Sequence, residues 1–349
     1  MHDRLKGFTI LHHKTIKDAM EQLNGLGGHR GIYVITDTHT VCGSVTDGDI
    51  RRALLKGCSM NDSVTTAMQE NFIYGNESLS ESQKKDLLKL KDIQSFPILN
   101  EKKQLVDIFS TESNKNHDDI YVVLMAGGMG TRLGKITEHI PKPMVEVAGK
   151  PMLERIMKKI IDQGFSNFFI SLNYKAEIIE NHFGDGSKFN CNVSYLKENV
   201  RLGTAGPLSL LPKNISSPII VMNGDLLTQV DLGQLLKFHY EHKSKITMGI
   251  RGHEIQVPFG VVDIKDGMVN SFIEKPVYNF NVNAGIYVIE PEIILNIPQG
   301  SYYDMSTLLN CMLEKKMSIA CFPIIENWID VGRESDLNDA REFYSVDRK

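Results

Sequence analysis

The chain has 349 residues, enough for two domains with sizeable cores. It is 42% hydrophobic and 23% charged with a net charge of −4, ordinary for a globular protein and without the basic excess of a nucleic-acid binder. No apolar leader opens it, no apolar run reaches membrane-span length, and its five cysteines lack Cys-x-x-Cys spacing, so free thiols in a reducing cytoplasm are expected rather than disulfides or zinc.

Thr15-Ile16-Lys17-Asp18 reads as a capping box opening an amphipathic helix that closes near Gly27-Gly28. GIYVIT (31–36) and VCGSVT (41–46) are strands, and DGDIRRALLK (47–56) is a helix stopped by Gly57. The order then recurs, with a helix over Ser80 to Lys91 and strands over Ser95 to Leu99 and Leu105 to Phe109. Thr46 and Ser110 fall in equivalent places, 64 positions apart, which marks an internal duplication. The run from Gly43 to Ile50 resembles a repeat of the cystathionine-β-synthase (CBS) type. That resemblance implies an adenine nucleotide, with Thr46 on its phosphate and Asp49 on its ribose. Read without it, Thr46 caps a helix and Asp49 favours its dipole, in a pair that is structural or dimerising. The second copy has Ser113 where the aspartate would stand, so at most one such site is expected. Residues 1–113 are assigned to this first domain and 114–119, within the polar run Ser113 to Asp119, to a linker.

The second domain, 120–349, opens on the strand Ile120 to Leu124 and runs into Ala126, Gly127, Gly128, Gly130, Thr131 and Arg132, with Lys142 between Pro141 and Pro143. Glycines after a buried strand let backbone N–H groups approach a polyphosphate, and cations beside them clamp it. The spacing fits neither a P-loop nor a dinucleotide fingerprint, since no Lys-Ser/Thr pair follows and Leu133 stands where the third glycine would be. Strand and helix then alternate: a helix begins at Pro151, strands run over Phe168 to Leu172, Val193 to Lys197 and Pro218 to Met222, and Pro207 starts another helix. That alternation predicts an α/β fold with a mostly parallel, doubly wound, Rossmann-like sheet and ligands beyond its strand C-termini. Further on stand Glu198 and Gly203-Thr204-Ala205-Gly206, Asn223-Gly224-Asp225, a hairpin over Gly260 to Ile273 turning at Asp266-Gly267, Glu274-Lys275-Pro276, Asn283-Ala284-Gly285, and Trp328-Ile329-Asp330. A carboxylate in the place of Glu198 suits the two donors of guanine better than the single donor of uracil or thymine.

Taken in this order the set resembles the sugar-1-phosphate nucleotidyltransferases, over residues 120 to about 340. The resemblance implies transfer of a nucleotidyl group from a nucleoside triphosphate to a sugar-1-phosphate, with Mg²⁺ as cofactor. It implies that Arg132, Lys142, Asp225, Lys275 and Asp330 are catalytic, with Asp225 and Asp330 on the metal. Leu124, Ala126, Gly127, Gly128, Gly130, Thr131, Glu198, Gly203, Thr204 and Ala205 are implied for the nucleotide, GTP being favoured by the Leu-Gly-Thr-Ala-Gly form. Gly260, Glu274, Asn283 and Ala284 are implied for the sugar. A front-end CBS pair resembles guanylyltransferases acting on glucosamine-1-phosphate, with mannose-1-phosphate as the alternative. Arg333 departs from the threonine usual after Gly332. An assembly of like chains, no nucleic-acid partner and no membrane partner complete the expectations. The reading of a different class is a nucleotide-sensing CBS protein with a weakened transferase, against which the intact charged set argues.

Overall fold

The computed structural model describes residues 3–26, 31–91, 93, 95–110 and 117–346. The expected helix end at Gly27-Gly28, the Ser113 position and the first half of the linker lie outside them. The chain divides into two compact units, Met1–Asn114 and Lys115–Lys349, each with its own core.

In the first unit, α1 (Asp3–Lys6), β1 (Thr9–Leu11), α2 (Ile16–Gly25), β2 (Gly31–Ile35), β3 (Val41–Thr46) and α3 (Asp47–Leu55) precede β4 (Gly75–Asn76), α4 (Glu81–Lys91), β5 (Ser95–Leu99) and β6 (Leu105–Ser110). Each half holds a three-stranded sheet whose first pair is parallel and whose second is antiparallel. The duplication is clearest in register. Gly31 pairs with Thr46 and Ile35 with Val41, with a slip after Val34; Ser95 pairs with Ser110 and Leu99 with Leu105, with a slip after Ile98. Tyr33, Ile35 and Val41 share one apolar cluster with Leu99 and Leu105, so each half covers the other.

The second unit is built on a seven-stranded mixed sheet. Its strands are β7 (Tyr121–Met125), β10 (Asn167–Leu172), β11 (Asn192–Lys197), β12 (Ile219–Asn223), β14 (Ile246–Gln256), β17 (Val277–Ile289) and β18 (Ile319–Pro323), in the order β11-β10-β7-β12-β17-β14-β18. The first four are parallel, and β17 runs antiparallel to both its neighbours. Along β7, Val122 and Leu124 enter one core and Val123 the other. The first core is covered by α5 (Met152–Ile161), α6 (Ala176–Phe183), α7 (Leu232–His242) and α10 (Glu334–Val346), the second by α8 (Pro291–Ile294) and α9 (Met305–Glu314). A strand covered on both faces reads as a continuous apolar run, which Tyr121 to Met125 is. The remaining pairs are β8 (Glu146–Val147) with β9 (Lys150–Pro151), β13 (Leu226–Thr228) with β19 (Trp328–Asp330), and β15 (Val261–Lys265) with β16 (Met268–Ile273). No helix among the described residues is long and apolar enough to cross a membrane.

Three expectations are corrected. Pro207 starts no α-helix: Gly206–Leu210 is a 3₁₀ turn, after which Leu211 is extended. Pro151 caps α5 instead of opening it. The strand expected over Ile246 to Arg251 continues to Gln256, where it pairs with the thirteen-residue β17, whose first half alternates with Asn279 and Asn281.

Candidate active site

The glycine-rich segment leaves the C-terminal end of β7 beside the end of β12. Gly224 donates to the Met125 carbonyl at 2.9 Å, and a Cβ on Gly224 would lie 2.8 Å from that oxygen. Only glycine lets the two strand ends approach so closely. Gly130 takes the left-handed conformation, φ 66°, and starts the 3₁₀ turns Thr131–Thr137; Thr137 Oγ1 donates back to the Gly130 carbonyl at 2.9 Å. Gly128, Thr131 and Arg132 face solvent, with open space around Gly128. Leu124 and Ala126 are buried in the core beneath, so any nucleotide contact there is made by backbone.

The loop delivers Lys142 to the charged centre. A Cβ on Gly130 would lie 2.7 Å from the Lys142 Cβ, and Lys142 Nζ is ion-paired with Asp225 Oδ2. Asp225 follows β12; β13 then pairs antiparallel with β19, Leu226 opposite Asp330, and Val331 donates to the Asp225 carbonyl at 3.2 Å. Two carboxylates far apart in sequence thus emerge side by side. Burial, and after it the Asp225 carboxylate, push the Asp330 acid above its ordinary range, while Lys142 and Arg132 pull the other way. Asp330 keeps access to solvent. Two adjacent carboxylates, with ionisation of Asp330 opposed by burial and by Asp225, are hard oxygen donors, which fits Mg²⁺ completed by phosphate and water oxygens. Past Gly332, the Asp336 carboxylate accepts from the Gly332 and Arg333 N–H groups at 3.0 and 2.7 Å, so the turn after Asp330 is held without the usual threonine.

Glu198, at the end of β11, accepts from the Ser171 hydroxyl at 2.6 Å and from the Leu202 N–H at 2.9 Å. A Cβ on Gly127 would sit 2.5 Å from its Oε1. The carboxylate therefore ties β10 to the loop carrying Gly203, Thr204 and Ala205 and packs against the glycine loop at Gly127. That second loop is braced by residues the motif reading missed. Tyr303 O accepts from the Ala205 and Gly206 N–H groups, both at 2.9 Å, and Asp304 Oδ1 accepts from Thr204 N and Oγ1, both at 3.2 Å. Burial opposes ionisation of Asp304, but the Tyr302 hydroxyl and the Thr204 donors outweigh it and hold the acid below its usual range. Thr204 Oγ1 also accepts from Met305 N at 2.8 Å, so its hydroxyl serves α9. The legible signal was an aspartate just before the apolar helix MSTLL.

On the sugar side, Asn283-Ala284-Gly285 packs at the charged centre: the Trp328 indole donates to Ala284 O at 3.0 Å, and Gly285 abuts Asn223. Asn283 is bound to the Tyr287 hydroxyl and to Gly285 N. Gly260 lies against the Glu274 carboxylate, 3.0 Å from where its Cβ would be. Lys275 follows in the left-handed region, φ 46°. Glu274 and Lys275 are exposed, and among the described residues no hydrogen bond or ion pair joins them to Asp225 or Asp330. In the first unit Thr46 and Asp49 form a reciprocal capping box, and the Asp49 carboxylate also accepts from Arg52 at 2.8 Å and Gln69 at 3.1 Å. Asp49 is 5% exposed, so its carboxylate is already engaged within the protein.

A family model described as nucleotidyl transferase matches residues 121–346. The chain belongs to the nucleotidyl transferase family. A CBS-domain model matches residues 6–56. The chain is 30% identical over 234 residues to a UTP–glucose-1-phosphate uridylyltransferase of Synechocystis, covering 61% of this chain and 60% of that protein. It is 36% identical over 184 residues to a mannose-1-phosphate guanylyltransferase of Mycobacterium tuberculosis, 51% of each. This nucleotidyl transferase therefore spans about half to three fifths of those relatives' lengths. Among solved structures it resembles HddC from Yersinia pseudotuberculosis, at 31% identity and a TM-score of 0.51, over 64% of this chain and 99% of that one; HddC has also been determined in complex with GMP-PN.

Proposed function

We propose that the protein transfers a nucleotidyl group from a nucleoside triphosphate to a sugar-1-phosphate, releasing pyrophosphate and forming a nucleoside-diphosphate sugar. The observation that carries this is the meeting of Lys142, Asp225 and Asp330 beside an open glycine loop at the sheet's C-terminal edge. The sugar phosphate is itself an anionic nucleophile, so the task is to bring two anions together rather than to generate a base. Arg132 and Lys142 neutralise the triphosphate, and Lys275 receives the sugar phosphate. Asp225 and Asp330 would hold Mg²⁺, which when bound supplies charge neutralisation at the phosphates.

GTP is the favoured donor, supported by the Leu-Gly-Thr-Ala-Gly loop and by the guanine-linked names and ligand of several relatives. With both Glu198 oxygens engaged in loop contacts, guanine selection rests on the shape those contacts impose as well as on the carboxylate. Glucosamine-1-phosphate is the proposed sugar, as in guanylyltransferases of legionaminic acid synthesis with the same front-end CBS pair, and mannose-1-phosphate is the alternative. The first unit is proposed as a regulatory or dimerising module; the engaged Asp49 favours the capping role over the ribose role. A pyrophosphate-release grid of GTP, UTP, TTP and CTP against glucosamine-, mannose-, glucose- and N-acetylglucosamine-1-phosphate tests the substrates. Highest kcat/KM for GTP with glucosamine-1-phosphate is expected; preference for a pyrimidine triphosphate overturns the base assignment.

A further inference from the structure

Two tight turns meet at one end of the first sheet of the front unit. Leaving β1, the chain turns at His12-His13, and Lys14 N donates back to the Leu11 carbonyl at 2.9 Å. Leaving β2, it turns through Asp37, where Thr36 N donates to the Thr40 carbonyl and His39 N to the Thr36 carbonyl, both at 2.9 Å. Strands β1 and β2 are parallel neighbours with Leu11 opposite Ile35, and His12 N donates to the Ile35 carbonyl at 3.0 Å. The turn residues that follow are thereby brought together: His13 Nδ1 lies 3.9 Å from Asp37 Oδ1, and the His12 ring stands edge-on to that of His13, centroids 5.4 Å apart. One donor atom from each of His12, His13 and Asp37 lies within 4.8 Å of the other two, a grouping that no other three His, Cys, Asp or Glu residues make among the described residues. His12 Nδ1 is shut off from solvent and has no hydrogen-bond partner among the described residues. Buried polar nitrogens are nearly always satisfied, and the neighbouring Ser63 hydroxyl is spent on the His12 carbonyl at 3.0 Å.

We propose that His12, His13 and Asp37 form a binding site for a divalent transition cation of the Zn²⁺ type. Two imidazoles with one carboxylate are borderline donors, which suit Zn²⁺ or Ni²⁺ and not the all-oxygen preference of Mg²⁺ or Ca²⁺. Donors at about 2.1 Å from a tetrahedral cation stand about 3.4 Å from one another. The His13–Asp37 separation is already near that, and these two side chains are 56 and 76% exposed, so rotating them closes the rest and leaves the fourth position to water. The site is separate from the two places already described. Thr46 pairs with Gly31 at the start of β2, whereas the cluster lies past its end, so the sheet stands between the cluster and the Thr46–Asp49 cap. Asp225 and Asp330 belong to the second unit and offer oxygen alone. A cation held by both turns would staple the end of β1 to the β2–β3 connection, and because an unfolded chain does not bring the three donors together, its binding would stabilise the front unit.

Isothermal titration of the untagged full chain with Zn²⁺, in excess Mg²⁺ so that the carboxylates of the second unit are occupied, tests this independently of any sugar or nucleotide. Wild type is expected to take up one Zn²⁺ per chain with micromolar or tighter affinity. Losing a group that merely orients a metal ligand already costs 10- to 100-fold in affinity, so His13→Gln and Asp37→Asn are each expected to weaken binding by about 10-fold or more. His253→Gln, an exposed histidine of the second unit, is expected to leave it unchanged. No saturable uptake by wild type, or uptake that survives both His13→Gln and Asp37→Asn, overturns the proposal. X-ray absorption at the zinc edge of the loaded wild type gives a second reading that needs no variant. A shell of nitrogen and oxygen containing two imidazoles is expected, and a shell of oxygen alone or one containing cysteine sulfur contradicts the site.

Discussion

Asp330 carries a charge that the surrounding fold disfavours, since burial and Asp225 raise its acid above the ordinary range. A carboxyl whose folded pKa exceeds its unfolded value adds stability below the unfolded pKa and loses it as pH rises through the folded one. At neutral pH, without a cation, ionised Asp330 is therefore a local cost. Asp330→Asn is predicted to melt above wild type in chelator at pH 7, and to lose that advantage once Mg²⁺ and triphosphate are added; a lower melting point in chelator contradicts the repulsion argument. Glu198 makes the opposite prediction. Glu198→Ala leaves the Leu202 N–H and the Ser171 hydroxyl without their acceptor. It should cost about 1–3 kcal/mol of stability and raise the triphosphate KM, measured by urea unfolding and steady-state kinetics. At this scale much was legible: Lys142, Asp225 and Asp330 come together where strand ends meet, whereas Lys275 sits exposed with no bond to them. The roles of Glu198 and Thr204 were only half legible. A motif names a side chain but not the neighbours that already occupy its hydrogen bonds, here Ser171, Asp304 and Met305.

The Gly130 turn and helix α7 show what elements contribute. At Gly130 a side chain would be strained by φ 66° and would press on Lys142. Gly130→Ala should cost about 1–2 kcal/mol and lower kcat, both read on one purified variant. On α7, His239 is buried, with its ring against the Thr247 hydroxyl at 2.8 Å and Glu290 at 3.2 Å. Burial holds the imidazole below its ordinary 6.5, with Glu290 opposing. The folded state then binds fewer protons than the unfolded one, so stability is full above about pH 6.5 and falls as pH drops toward the depressed value. His239→Gln should flatten that decline between about pH 6.5 and 5, checked by unfolding midpoints across the range. Elements whose cue is local were readable: Asp266 and Gly267, both at positive φ, make the expected hairpin turn. The outer half of β14 and the start of β17 were not, because their pairing is with each other and their polar faces mimic loop sequence.

Across the whole chain, two compact units with separate cores imply two cooperative transitions, and unfolding should depart from a single two-state transition. Triphosphate with Mg²⁺ at about 100 times its Kd should shift only the transition of the second unit, by about 2.7 kcal/mol, in differential scanning calorimetry. A uniform shift of both would mean that the units unfold as one. The duplication in the first unit shows the same lesson at large scale. Identity between the copies is faint, yet their strand registers, slips included, agree at a 64-residue offset, and β2 and β5 share one burial pattern, buried at every position after the first. The central claim is that Asp225 and Asp330 form one cation-dependent site for nucleotidyl transfer. It is tested most directly by pyrophosphate release from GTP and a sugar-1-phosphate, with and without Mg²⁺, in wild type, Asp225→Asn and Asp330→Asn. The account predicts Mg²⁺-dependent turnover in wild type and a loss of about 100-fold or more in each variant with the fold intact. Metal-independent turnover, or either variant within a few-fold of wild type, would contradict it.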